Sequence, residues 1–214
     1  MFHLIKKDFL VQKKSVFLSI VFILFFSLFF SKIGAPGFLI GVLGVTYLLA
    51  LGSSAIDDKN NSDKMLISLP IKRNTIVLAK YLSVIVIAAF AILINLLIYL
   101  VVDILKLPLQ PIPFSLTGMA GSIIVSVLYC SISFPVIFKY GFLKSRMINS
   151  LLFFLLIFGG SAWISYMTEN NPKSLFILSS LSNIETIFVI LLPTIFIFVL
   201  SYLLSLTFYK NREF

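Results

Sequence analysis

Few residues of this chain could carry chemistry, and their types and spacing exclude most of it. His3 is the single histidine and Cys130 the single cysteine. Cys130 sits inside an apolar run, so the chain alone can build neither a disulfide framework nor a cysteine metal cluster. Intramembrane proteases and lipid-modifying enzymes need clustered Asp, Glu or His, and the apolar runs contain no such cluster. Carriers coupled to protons or sodium need an ionisable group at mid-membrane to hold the ion. In the last five runs the only charge is Lys80, one turn inside an end. The expectation is therefore no catalytic residue, no metal site, and neither enzyme nor ion-coupled carrier.

Polar residues concentrate instead in the segment Asp57 to Thr75. Ser62 can cap a short helix with Asp63 in its first turn, and Pro70 would end it. Met65, Leu66 and Leu69 then form one apolar face, with Asp57, Asp58, Asp63 and Lys64 as its charged surround. A second helix starts near Asn74 or Thr75. A short amphipathic helix in a charged loop suits docking into a groove on a soluble partner and passing its motion onward. A helix that only lies on lipid would share the same pattern, and the residues leave both roles open.

The elements that position this loop follow from composition. Of 214 residues, 60% are hydrophobic and 12% charged, and the mean hydropathy is +1.11. A water-soluble domain could not hide that much apolar surface, so the length is counted in bilayer crossings of roughly 20 residues each. Apolar runs predict an all-α, polytopic membrane protein with six spans, at about 16–31, 37–56, 76–102, 114–138, 147–167 and 187–209. These form a single transmembrane domain over 1–214, with 57–75 as the inner loop and no soluble catalytic domain. The first run lacks a good processing site after Ser31 and is expected to stay as an anchor.

Orientation follows from the basic residues. With the amino terminus inside, every Lys and Arg except Lys32, Lys106 and Lys173 falls on the cytoplasmic side. The positive-inside rule thus puts both termini and the 57–75 loop in the cytoplasm, and it accounts for the net charge of +9 without nucleic acid. In residues 1–15, Phe2, Ile5 and Phe9 share one helical face while Lys6, Lys7, Lys13 and Lys14 occupy another. The segment is either an amphipathic elbow helix on the inner membrane surface or a basic tail that sets topology.

Smaller signals lie within the spans. Gly37, Gly41 and Gly44 allow close helix approach. Asn95 could bond a substrate or a neighbouring helix. Pro135, Pro193 and Gly159-Gly160 bend their spans, as hinges or static kinks. Some of the 23 phenylalanines could line an apolar cavity, the rest facing lipid or other helices.

In the loop the chain resembles the type-2 permease subunits of bacterial ABC exporters. The resemblance is carried by Asp57-Asp58-Lys59-Asn60, by Met65 to Lys72 (Met-Leu-Ile-Ser-Leu-Pro-Ile-Lys) and by Ile76 to Tyr81. Six spans, a basic amino-terminal helix and the motif between the second and third spans support it. It implies a half-transporter in the bacterial cytoplasmic membrane that pairs with a second permease copy, identical or a close paralogue, and binds a separate ABC ATPase. The coupling residues would be Asp57, Asp58, Asp63, Lys64, Met65, Leu66, Ser68, Leu69 and Pro70. ATP and magnesium would sit on the partner, and this chain has no Gly-x-x-x-x-Gly-Lys-Ser/Thr phosphate loop. Among relatives it looks most like the small permeases of the phenol-soluble modulin exporter group, which handle amphipathic peptides. The segment Ser174 to Ser182 is apolar enough to dip back into the membrane, as its counterpart does in the broader family, or to lie as a surface helix.

The function expected is ATP-driven export of an amphipathic peptide or other apolar substrate by alternating access. A substrate-capturing subunit of an uptake system would share the span count, but it would need a ligand pocket closed by external loops. A non-transporting immunity or scaffold protein is the third alternative.

Overall fold

The structure is a computed structural model that describes residues 2–29, 35–68, 71–106, 116–160, 166 and 183–212. Its elements in chain order are α1 (Phe2–Val11), α2 (Lys13–Phe29), α3 (Ala35–Thr46), a π-turn (Tyr47–Leu51), α4 (Gly52–Lys59) and α5 (Ser62–Ser68). Then come α6 (Arg73–Ile104), α7 (Leu116–Tyr140), α8 (Phe142–Phe154), a second π-turn (Leu155–Gly159) and α9 (Asn183–Asn211). Every element among the described residues is helical, as lipid demands of a chain that must satisfy its backbone internally.

Five stretches are long and apolar enough to cross a membrane: Gly37–Lys59, Arg73–Ile104, Gly118–Tyr140, Phe142–Gly159 and Ile190–Asn211. Helices α1 and α2 meet at a 74° bend, and taken together as one span they bring the number to six. Ser174 to Ser182 lies outside the described residues.

Helix α7 is the hub, packing against α3, α6, α8 and α9. Lipid tails are as apolar as leucine, so helices in a bilayer associate through close approach and hydrogen bonding. Helix α7 meets that requirement with Ser122, Ser126, Ser131 and Ser133, all buried. Thr46 of α3 reaches Ser126 at 3.3 Å. On α3, a Cβ at Gly44 would collide with the ring of Phe22 on α2, so this glycine sets how closely those helices pack. Asn95 is buried in α6.

Pro135 lacks the N–H that would bond the carbonyl of Ser131 one turn back. That carbonyl accepts the hydroxyl of Ser201 from α9 instead. Ser201 is in turn 2.6 Å from the Tyr81 hydroxyl of α6, and Ser205 is 2.7 Å from it. A hydrogen-bonded chain thus joins three helices where the proline has opened one of them. The Tyr81 ring lies edge-on to Phe134, Phe198 and Tyr202 at 5.0, 5.2 and 5.7 Å.

Two helices run past the limits set by their apolar residues. The second span continues through Asp57, Asp58 and Lys59, where the apolar run stops at Ile56. Helix α8 begins at Phe142, before the apolar run that opens at Met147. In both cases charged residues are helical because their charges are met or their tips reach solvent: Asp57 is buried with partners, while Lys144 and Arg146 are exposed.

Candidate functional site

The charged residues of the fold gather at the end of the bundle that carries α5. Lys80, in the second turn of α6, is buried. Its ammonium lies 2.7 Å from Oδ2 of Asp57, 3.2 Å from Oδ1 of Asp8 and 3.0 Å from the hydroxyl of Ser53. An isolated buried ammonium would be strongly disfavoured, and here its three donors meet three oxygens. The other carboxylate oxygen of Asp57 takes Lys7 at 2.8 Å, and Lys7 is also 3.6 Å from Asp8. Two cations and two anions therefore form one closed cluster joining α1, α4 and α6.

Helix α1 reaches this cluster because its inward face is set from its other end. Phe9 packs edge-on to Phe90 of α6 at 5.8 Å. Gln12, at the bend, donates its side-chain amide to the carbonyls of Asp8 and Leu49, at 3.1 and 2.9 Å. Leu49 lies in the first π-turn, the kind of local break in a helix ladder where side chains find a carbonyl. Gly52 leaves room for this side chain, since a Cβ there would lie 2.8 Å from Oε1 of Gln12 and displace its tip.

Asp58, the next residue, faces the other way. Its Oδ2 accepts the backbone N–H of Leu143 at 3.0 Å, so a side chain of α4 caps the first turn of α8. Its Oδ1 is 3.7 Å from the guanidinium of Arg212, just past α9. The turn between α7 and α8 permits this because Gly141 adopts φ 82°, and a Cβ there would lie 3.2 Å from Asp58 and 3.1 Å from Arg212. Arg73, the first residue of α6, donates to the carbonyl of Lys210 at 2.7 Å and so holds the last turn of α9.

Helix α5 hangs directly from this doubly held α4. Asn61, with φ 50°, makes the turn between them, a conformation asparagine tolerates. Of the expected docking face, Met65 is 70% exposed and Leu66 only 8%. Adjacent helical residues point about 100° apart, so Leu66 is the foot of α5 in the core while Met65 faces outward. Ser68 is exposed and bonds the Met65 carbonyl. Asp63 and Lys64 lie on α5. Leu69 and Pro70 lie outside the described residues.

Asp57 and Asp58 are thus brought together with α1, α6, α8 and the segment after α9, the carboxylate of Asp57 buried and that of Asp58 partly exposed. Asp8, Gln12 and Arg212 are the participants that the sequence did not single out, and Lys7 was read only as part of a basic helical face. The available signal was Lys80: a lysine one turn inside a span calls for an anion, and Asp8 is the only acid in the first fifteen residues. Away from this end, an apolar groove of about 300 Å³ opens between α6, α7 and α9, lined by Ile85, Ile123, Val127, Leu191, Ile195 and Phe198.

An all-helical chain with at least five stretches long and apolar enough to cross a bilayer is a multi-pass membrane protein. Residues 3–210 match the family described as ABC-2 family transporter protein, and the chain belongs to that family. It is accordingly a permease subunit of an ABC transporter, and the family implies an ABC ATPase as its partner. No curated protein and no solved structure matches it.

Proposed function

We propose that this chain is the permease half of an ATP-driven exporter in a bacterial cytoplasmic membrane. Both termini and α5 face the cytoplasm, two permease copies pair, and α5 docks on the ATPase as the coupling helix. The observation that carries this proposal is the double anchorage of α4. A push on α5 reaches α1 and α6 through Asp57 and reaches α8 and the end of α9 through Asp58. Rigid-body movement at one short helix would then tilt most of the bundle at once. The positive-inside bias supports the orientation, since Lys7, Arg73, Lys80 and Arg212 all gather at the α5 end. The cargo is an amphipathic peptide or another apolar substrate, a class suited to spans whose central levels carry no charge. ATP and magnesium are held by the partner.

The test is to extract the full chain from native membranes in mild detergent and identify what accompanies it. A soluble ATPase with a phosphate loop is expected, its association lost in Met65→Asp and Leu69→Asp, which place a charge in an apolar docking groove. Recovery of the chain alone, or retention of the ATPase and of export in both variants, would sink the coupling role. A partner other than an ATPase would favour the immunity or scaffold role, and ligand moving inward in vesicles would favour uptake.

A further inference from the structure

We propose that the elbow between α1 and α2 is a binding surface for anionic phospholipid headgroups, with Lys6, Lys13 and Lys14 as its contacts. The argument begins with how α1 sorts its charges. Asp8 is turned inward and used up by Lys7 and Lys80. Lys6, Lys13 and Lys14 are exposed and make no ion pair among the described residues. The first turn of α2 contains no acid. The exposed charges of Lys6, Lys13 and Lys14 therefore have no acid beside them to offset them.

Apolar groups are interleaved with these cations at a fixed spacing. One turn beyond Lys6 stands Leu10, 51% exposed; beyond Lys13 stands Phe17, 71% exposed; beyond Lys14 stands Leu18, 56% exposed. Each lysine is thus stacked over an apolar side chain on its own helix face. A soluble acidic protein would match the charges and leave the apolar groups in water. A phospholipid matches both, with its phosphate at the lysines and its acyl chains against the neighbouring apolar side chains. The 74° bend turns α1 away from the axis of α2, and an amphipathic helix so turned belongs at the level of the headgroups. The inference is independent of the cargo and of the coupling role of α5.

The test uses the full chain labelled with a fluorophore at Val11→Cys, an exposed elbow position outside the three lysine–apolar pairs, Cys130 being buried. It is reconstituted in phosphatidylcholine vesicles doped with either phosphatidylglycerol or phosphatidylcholine carrying a shallow nitroxide quencher. Phosphatidylglycerol is expected to quench several-fold more strongly, and the preference should shrink with added salt. Each of Lys6→Gln, Lys13→Gln and Lys14→Gln should reduce the preference about fivefold, while the triple Lys→Arg variant keeps it. Equal quenching by the two lipids, or a preference undiminished in the triple Gln variant, would overturn the proposal. So would an equal loss from Lys59→Gln, an exposed cation at the same end of the bundle, because net charge alone would then explain the effect.

Discussion

Asp57 and Lys80 lie 23 residues apart in sequence and 2.7 Å apart in space. Because the second oxygen of Asp57 belongs to Lys7, the pair is a node between three helices rather than an isolated bridge. Its burial decides how substitutions behave.

Removing one partner strands the others. Lys80→Met leaves Asp8 and Asp57 with only Lys7 between them, and the loss should be about 3–5 kcal/mol, the range for a broken buried pair. Thermal unfolding of the detergent-solubilised chain checks it. Lys80→Met combined with Asp57→Asn should recover part of that loss, because Lys7 and Asp8 remain as a balanced couple.

Asp58→Ala removes the cap from the first turn of α8. The cost should be about 1 kcal/mol. It should appear in hydrogen exchange as faster amide exchange at Leu143, with α3 unchanged.

Gly141→Ala tests the same corner from the backbone side. A side chain at φ 82°, with a Cβ crowded by Asp58 and Arg212, should destabilise the chain by about 1–2 kcal/mol, measured in the same unfolding assay. Arg212→Ala should relieve part of the crowding and little of the dihedral strain.

Ser201 and Pro135 should be energetically coupled. Ser201→Ala leaves the Ser131 carbonyl unpaired and should cost about 1–2 kcal/mol. In a Pro135→Ala background the backbone N–H returns to that carbonyl, so the same serine substitution should cost clearly less. A double-mutant cycle gives the coupling directly, and strict additivity would show that the serine does not stand in for the missing N–H.

The helices were readable because apolar runs of span length leave few other structures open to them. Their ends were less readable. Asp57 to Lys59 look like the start of a loop until Lys80 and Lys7 supply the charges that let the helix continue. Helix α8 starts early for a related reason, the N–H of Leu143 in its first turn being met by Asp58 from another helix. Leu66 was legible as apolar but not as the foot of α5, because a seven-residue helix does not say which side the bundle is on. Asp8 was hidden among four lysines that read as a topological signal. Asp8 meets Lys80 from 72 residues away, and Lys7 meets Asp57 from 50 residues away, so no local pattern could reveal the cluster.

The cluster beneath α5 also has an electrical meaning. Lys7 and Lys80 are matched by Asp8 and Asp57, so the group has no formal net charge. Moving one elementary charge through the membrane potential costs or releases about 2.3 kcal/mol per 100 mV. A neutral group that shifts as a unit does no such work. The four side chains of the cluster can therefore shift together at the same energy in a polarised or a depolarised cell.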